Sequence, residues 1–521
     1  MKYDAVIIGS GLGGLQCGLI LARRGMKVLI LERQSRPGGC MQSYRRKDAW
    51  LDTGMHYVGG LGVGGCLYAP FRNLGLMDLP WVHLDPSGFD RVAIGEQQFR
   101  FVEGYDAFAD TLSASFPHER AGLTRYARLM QQMAGHIFDR FMPAQDTNPA
   151  SSRAGFEQDT PYGGMEWPWS RLYETGAYPF LRECFHDDLL MNVLAGTSLK
   201  MELRQESLPL FTFAEINSSY IQSAWRLQGD GSIIVNRLLE QYKACGGELI
   251  CSAEVVELIE RNGALVAARC SNGECYEALR FISDVHPALT LGWIKDNARI
   301  KKIYRNRIVG SENTYGMLTV SLLIKPGMLK YFNWNQYVYS HPAVWRCHEA
   351  TDQAQGILVS CRCPADASVA DGELLNNPDA RIVDILTPMP WSRVEAWSDS
   401  KLGNRPDEYK AMKQRWAESC IALAEQVIPG LTGMIESYFV STPLTYRDYT
   451  CTPQGSAYGV RKDYRQPMMN MISPRTPIPN LFLTGQSLTL HGLLGVTMSA
   501  MATISEILGK EAAWELCRQE V

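Results

Sequence analysis

The run Gly9-Ser10-Gly11-Leu12-Gly13-Gly14 stands between an apolar segment, YDAVII at 3–8, and a small-residue stretch from about Leu12 to Arg24. A second apolar run, Lys27 to Leu31, comes after the break at Gly25 and ends in Glu32. Strand, glycine turn, helix, strand and acid in that order spell the opening βαβ unit of a dinucleotide-binding fold. Gly9 permits the tight turn out of the strand. Gly11 lets the backbone approach a diphosphate without a Cβ in the way, and Gly14 lets the helix pack closely on the strands. The helix N-terminus at Leu12, Gly13 and Gly14 presents free N–H groups and the positive end of its dipole to the phosphates. Glu32 lies 18 residues past Gly14, where a carboxylate meets a ribose hydroxyl. An acid there disfavours a phosphorylated ribose.

With 521 residues, the chain has room for one or two large cores and is far more than a small binding module. Hydrophobic residues make up 46% and charged residues 20%, an ordinary globular composition. A net charge of −4 argues against a nucleic-acid partner. The mean hydropathy of −0.16, with no long apolar run, argues against a spanning helix. The 14 cysteines are scattered and form no CxxC pair, so neither a metal site nor a disulfide scaffold is expected. Cys361 and Cys363, two apart, would share one face if they lie on a strand. Reduced, buried thiols fit a cytoplasmic protein, and the start of the chain lacks the pattern of a signal peptide.

Beyond Glu32 the sequence reads RQSRPGGCMQS, with a second glycine pair at Gly38 and Gly39. NAD binding does not need such a pair. It resembles the extended signature of the amine-oxidase and phytoene-desaturase flavoproteins, in which this loop passes along the diphosphate and under the flavin. Arg33 and Arg36 would then add positive charge near the phosphates. A second GxGxxG, GLGVGG at 60–65, has no apolar strand before it, and Pro70 and Pro80 interrupt the segment where a helix and second strand would have to lie. It is expected to be a loop.

From about 104 to 205 the pattern is mostly helical, with Trp, Met and Tyr interleaved around Pro161 to Trp169. Residues 226–270 predict a glycine turn, an amphipathic helix from Ser232 to Ala244, a strand, a turn at Asn262-Gly263 and a returning strand. YEALRFISDVHP is expected to be another buried strand. From about 305 to 470 strand-like runs (GMLTVSLLI, ILVSCRC, RIVDILTPM) alternate with loops, with one amphipathic helix over roughly 406–428. The last stretch predicts a strand from Leu481 to Thr484, a glycine loop and an apolar helix with its N-terminus near Gly495 to Thr497.

Four blocks in order, GGCMQSY at 38–44, LDTGMHYVGG at 51–60, TPLTYRDYTCTPQGSAYG at 442–459 and NLFLTGQSLTLHGLLGV at 480–496, carry a family resemblance. They resemble the retinol saturase-like branch of the phytoene desaturase and carotenoid isomerase flavoprotein superfamily, over essentially the whole chain. The resemblance implies an α/β fold. A Rossmann-type FAD-binding domain (1–75, 226–300 and 471–521) would be interleaved with a mixed-sheet and helical substrate domain (76–225 and 301–470). It implies FAD as cofactor, held by Gly9, Gly11, Gly14, Glu32, Gly38, Gly39, Val256, Gly485 and Gln486, with Gly495 and Val496 near the reduced ring. Val256, with Ile259 in a V-x-x-I run, would offer its backbone to the adenine. The family usually has Gly-Asp where this chain has Gly485-Gln486; Gln can still hydrogen-bond a ribityl hydroxyl.

The implied reaction reduces or forms a C=C bond of a hydrophobic isoprenoid, with NAD(P)H as a candidate external reductant. A flavin-dependent carotenoid cis/trans isomerase, an amine or porphyrinogen oxidase, and a flavin-free prenyl-protein carrier are the rival readings. The cavity should be long and apolar. His56, Tyr57 and His491, with Tyr458 behind them, are the candidate catalytic proton donors. Substrate would arrive from a membrane surface or a carrier, which implies peripheral membrane contact; the oligomeric state is not legible.

Overall fold

The computed structural model describes residues 2–138, 169–295, 298–349 and 352–518. Residues 161–168 of the aromatic-rich stretch lie outside them.

The opening strand Tyr3–Ile8 is buried, and its neighbours in the sheet are Val28–Leu31 and the end of Cys275–Ser283, both parallel to it. Glu248–Ile250 extends the parallel sheet on one side and Leu481–Leu483 on the other. Strands 255–261 and 264–270 form an antiparallel hairpin through Asn262-Gly263, both at positive φ, as their sequence predicts. The strand Cys275–Ser283 departs from the burial throughout that its sequence predicts. Cys275 to Glu277 pair with that hairpin and are largely exposed, whereas Ala278 to Ser283 run parallel beside Tyr3–Ile8, with Ala278 and Phe281 to Ser283 buried.

Opening helix Leu12–Arg23 is buried from Leu12 to Ala22, which is why it is built from small and apolar residues. Gly18 lets the helix lie close to the sheet: a Cβ there would come within 2.9 Å of Ile30 Cδ1 and make that side chain shift. The amphipathic helix lies at Ser232–Ala244 and buries Ile234, Val235, Leu238, Leu239 and Tyr242. Tyr242 donates its hydroxyl to the carbonyls of Val28 and Glu248, tying this helix to the sheet edge. The closing helix packs against the opening one, and Gln16 Nε2 donates to Thr497 Oγ1 at 3.0 Å in the buried seam between them.

A second sheet runs 435–441, 316–324, 382–389, 356–361, 335–339, 90–94 and 97–101. It is antiparallel except where 335–339 pairs parallel with 90–94. The helix expected over 406–428 is found at Asp407–Glu425 and covers one face of this sheet. The helical region contains Tyr105–Ser115, Arg120–His136 and the almost wholly buried Leu210–Gln222. GLGVGG at 60–65 is a loop, as expected, although Pro70 is accommodated within a short helix, Tyr68–Asn73. The strand ends at Cys361, so Cys363 lies beyond it in an isolated bridge to Gln228 and the two do not share a strand, although both are buried.

Candidate functional site

One cavity of about 520 Å³ runs from the end of the opening strand to the underside of the second sheet. Its wall at one end is the glycine loop, from Gly9 through Ser10, Gly11, Leu12 and Gly13, together with Glu32, Arg33 and Gly39. These residues lie at the carboxyl ends of parallel strands, where α/β sheets bind ligands. Gly11, at the helix N-cap, has no side chain with which to cap it, and the carboxylate that lies nearest the first N–H groups is that of Asp284, on which the Gly11 and Gly14 N–H groups act. Glu32 is anchored by the Ser10 backbone N–H at 3.0 Å, by the Ser10 hydroxyl and by the Gln34 N–H at 2.7 Å. The anchored carboxylate still lines the cavity.

Other glycines of the signature work from behind the wall. A Cβ on Gly14 would meet the Gly9 carbonyl oxygen at 2.3 Å, and one on Gly38, whose φ is +122°, would meet Val235 at 2.9 Å. Both close the packing rather than line the space. Gly495 belongs with them. The closing helix begins at Gly492, not near Gly495, with His491 at its N-cap position, and a Cβ on Gly495 would collide with the Leu490 carbonyl carbon at 2.3 Å. Val496, Gly485 and Gln486 do face the cavity. Arg33 reaches it while donating to the Asp448 and Tyr449 carbonyls. Arg36 does not: it is exposed and lies over the Trp50 ring.

Val256 lines the cavity from an irregular strand. The ladder steps from Val255–Cys270 to Glu257–Arg269, so Val256 is the extra residue of a bulge, and its backbone is left out of the pairing. A strand residue with spare backbone groups facing a cleft is what an adenine edge requires.

Sequence reasoning missed Asp284, the residue immediately after the third parallel strand. Its carboxylate is buried beneath the glycine loop. A Cβ on Gly11 would lie 2.5 Å from Oδ2, one on Gly13 2.6 Å from Oδ1, and one on Gly485 2.7 Å from Oδ1. Oδ2 is buried and has no hydrogen-bond partner among the described residues. Burial, reinforced by the charge of Glu32, pushes this carboxyl up to about 7, against the pull of the Gly14 and Gly11 N–H groups. Its position just past a parallel strand, like that of Glu32, was the available signal.

At the other end the cavity is apolar, with Met55, Met317, Leu358 and Leu386 in its wall, and here the candidate catalytic residues are found. Tyr57 is buried, and its hydroxyl stands 2.9 Å from Asp90 Oδ2 and 2.6 Å from the Tyr337 hydroxyl. Lys200 Nζ donates to the same hydroxyl at 3.2 Å, lies 3.6 Å from Asp90, and sits 4.0 Å over the Tyr220 ring. Burial brings the Lys200 ammonium down to about 8 although Asp90 pulls the other way. Burial likewise raises Asp90, against Lys200 and its hydrogen bonds, and holds the Tyr57 phenol well above its ordinary value. Neither Lys200 nor Asp90 has a motif that marks it in the sequence.

His56 also faces the cavity. Its Nδ1 is 3.9 Å from Asp384 and its Nε2 is buried without a partner. Burial lowers it to about 4, so it is a neutral imidazole at physiological pH. Behind it Arg362 bridges Asp52 at 3.3 Å and Asp384 at 3.0 Å. His491 Nε2 is 2.9 Å from the Lys200 carbonyl, and Tyr458 donates to the Leu199 carbonyl at 2.6 Å. His491 and Tyr458 pack ring to ring at 4.4 Å and together pin the segment that carries Lys200.

The profile described as an NAD(P)-binding Rossmann-like domain matches residues 7–74. The all-trans-retinol 13,14-reductase of Rattus norvegicus is 25% identical, over 97% of this chain and 86% of that protein. The chloroplastic prolycopene isomerase of Arabidopsis thaliana is 24% identical, over 96% of this chain and 81% of that protein. In structure, cyclohexylamine oxidase from Brevibacterium oxydans superposes with a TM-score of 0.56 at 12% identity, covering 99% of each chain, which establishes a shared fold. Similarity of this extent to both a reductase and an isomerase, together with the Rossmann-like match at the start of the chain, fits the retinol saturase-like branch of the phytoene desaturase and carotenoid isomerase superfamily.

Proposed function

We propose that this chain is an FAD-dependent oxidoreductase that reduces or forms a C=C bond of a hydrophobic isoprenoid. The observation that carries this reading is a continuous cavity of about 520 Å³, which joins the glycine-loop wall to an apolar chamber. The residues present fit the cofactor. Gly9, Gly11 and Gly13 line that wall with backbone in place of side chains, and Glu32 and the bulged Val256 line the same cavity, where ribose and adenine would need partners. FAD bound there supplies hydride chemistry at its ring. A discontinuous cofactor part and a substrate part, divided as the sequence suggests, belong to the same proposal.

The chain's own contribution is placement, exclusion of water and movement of a proton. Saturating a C=C bond takes a hydride and a proton. Tyr57 is the group best placed to hold that proton at its hydroxyl, with Lys200 and Asp90 setting the hydroxyl's orientation and Lys200 able to replenish it. His491 is better suited to positioning Lys200, because its Nε2 is engaged by a backbone carbonyl. His56 stays neutral and lines the chamber. Gln486, facing the same cavity, takes the place of the family's usual Asp toward the ribityl chain.

Among the described residues no helix is long and apolar enough to cross a membrane. A cytoplasmic protein touching a membrane surface peripherally, with NAD(P)H as external reductant, completes the proposal. The similarity to prolycopene isomerase supports a second reading, isomerisation with no net redox change. Product analysis under anaerobic conditions separates the two. Flavin-reduced protein is given retinol, phytoene and lycopene in turn. A reductase product gains two hydrogens in mass, an isomerase product keeps its mass and changes its retention, and an unaltered set of substrates refutes the substrate class.

A further inference from the structure

Asp284 Oδ2 sits directly beneath the second glycine of the signature, in the place a Cβ on Gly11 would take, and both Gly11 and Asp284 line the cavity. Its other oxygen faces Gly13 and Gly485, so the carboxyl is wedged between the two glycine loops that meet in the cavity wall. Oδ2 is buried without a partner, and among the described residues no ion pair reaches it. A dinucleotide diphosphate is a dianion. An ionised carboxylate beside it in a low-dielectric pocket repels it strongly, whereas a carboxylic acid donates a hydrogen bond to it.

We propose that Asp284 meets the diphosphate of the bound dinucleotide as a neutral carboxylic acid, taking up one proton from solvent for each dinucleotide bound. The proposal rests on the dinucleotide reading of the site. The balance is simple: one proton leaves the buffer, one O–H bond forms on Asp284, and nothing is oxidised or reduced. Burial pushes the carboxyl of the free protein up to about 7. Between that value and the higher one it acquires beside the diphosphate, affinity falls about tenfold for each unit of rising pH.

Other groups around Asp284 do not supply this proton. Cys17 on the opening helix and Cys40 in the turn below are thiols raised by burial, to well above the neutral range and to about 11 respectively. His286, two residues on, is lowered to about 4 by burial and stays neutral. Glu32 contributes its charge from the end of the second strand, and Thr484 on the closing strand contributes only a hydroxyl. Burial brings Lys200 down to about 8 and Lys462, which donates to three backbone carbonyls beside the closing loop, down to about 7. Both remain in a variant altered only at Asp284, so the comparison removes them.

The test is titration of flavin-stripped full-length protein with FAD, by calorimetry in buffers of different ionisation enthalpy and by the flavin spectrum, from pH 6 to pH 9. In the wild type, proton uptake attributable to Asp284 should rise from near zero at pH 6 to about one per FAD at pH 8.5. Asp284→Asn should lack that increment and bind FAD at least as tightly as the wild type at pH 8.5. Asp284→Ala, which cannot donate, should lack the increment and bind more weakly than Asp284→Asn. Equal uptake in wild type and either variant at pH 8.5 overturns the proposal, even though FAD binds. Failure of every protein to bind FAD at any pH overturns the dinucleotide reading and this contact with it.

Discussion

The hydroxyl of Tyr57 lies 2.9 Å from Asp90 Oδ2, although Tyr57 comes just after a turn beyond the first glycine loops and Asp90 opens a strand of the second sheet. Lys200 closes the triangle on the same hydroxyl. Replacing Tyr57 with Phe keeps the volume and removes the proton. Turnover should fall by about 10²- to 10⁴-fold with the flavin spectrum and flavin content unchanged. Unchanged turnover would remove Tyr57 from the chemistry.

Lys200 makes the proton supply sensitive to pH. Its folded value of about 8 lies below the 10.5 of a free lysine, so the ammonium is lost as pH rises through 8 rather than through 10. The saturating direction should therefore slow above pH 8. Lys200→Met should be slow at every pH and lose that alkaline limb, read from kcat under anaerobic single-turnover conditions.

Gly11 and Asp284 cannot both be enlarged. Gly11→Ala brings a methyl to 2.5 Å from Asp284 Oδ2 and should leave the purified protein largely colourless. Shortening the neighbour in Gly11→Ala/Asp284→Ala should return part of the flavin. Gly14→Ala should be worse and beyond this rescue, since its methyl strikes the Gly9 backbone oxygen at 2.3 Å. Flavin absorbance per protein decides among these outcomes.

Arg362 is the cation that the buried carboxylates of Asp52 and Asp384 share. Arg362→Met leaves both without a partner that is charged at neutral pH and should cost about 3–5 kcal/mol in chemical denaturation. Asp52→Asn/Asp384→Asn in the same background should recover part of that loss, because no buried charge then lacks a partner.

Stability of the flavin-free protein carries the sign of Asp284. Its carboxyl is raised in the folded state from 3.8 to about 7, so the folded chain holds a proton that the unfolded chain has released. Stability from this group is full below about pH 4, declines as pH rises to 7, and is flat above. Asp284→Asn should thus match the wild type at pH 4 and exceed it by about 4 kcal/mol at pH 8. A wild type that stays the more stable at pH 8 contradicts the assignment.

Local rules make the cofactor half legible. Strand, glycine turn, small-residue helix and acid are neighbours in sequence, and their geometry is set by backbone sterics and the helix dipole, so Gly9 to Glu32 can be placed without a structure. The helix at Ser232–Ala244 and the hairpin at Asn262-Gly263 are equally readable, because periodicity and positive-φ residues are local signals. The start of the closing helix lies about a turn earlier than its sequence suggests, since Gly492 and Gly495 are both glycines and only packing against Leu490 shows which opens the helix and which makes the close approach.

Contacts between distant segments decide the rest. Tyr57, Asp90, Lys200 and Tyr337 come from four separate stretches, and nothing within any one of them shows that their polar ends converge. Position in the chain makes Arg36 a phosphate partner, yet its side chain turns outward over Trp50, because a flexible cation finds the nearest solvated aromatic face unless packing prevents it. Asp284 has an ordinary place in the sequence and an unusual one in space: only the closing of two glycine loops around it takes its water away, and that desolvation is what makes a common carboxylate into a group that holds its proton near neutrality.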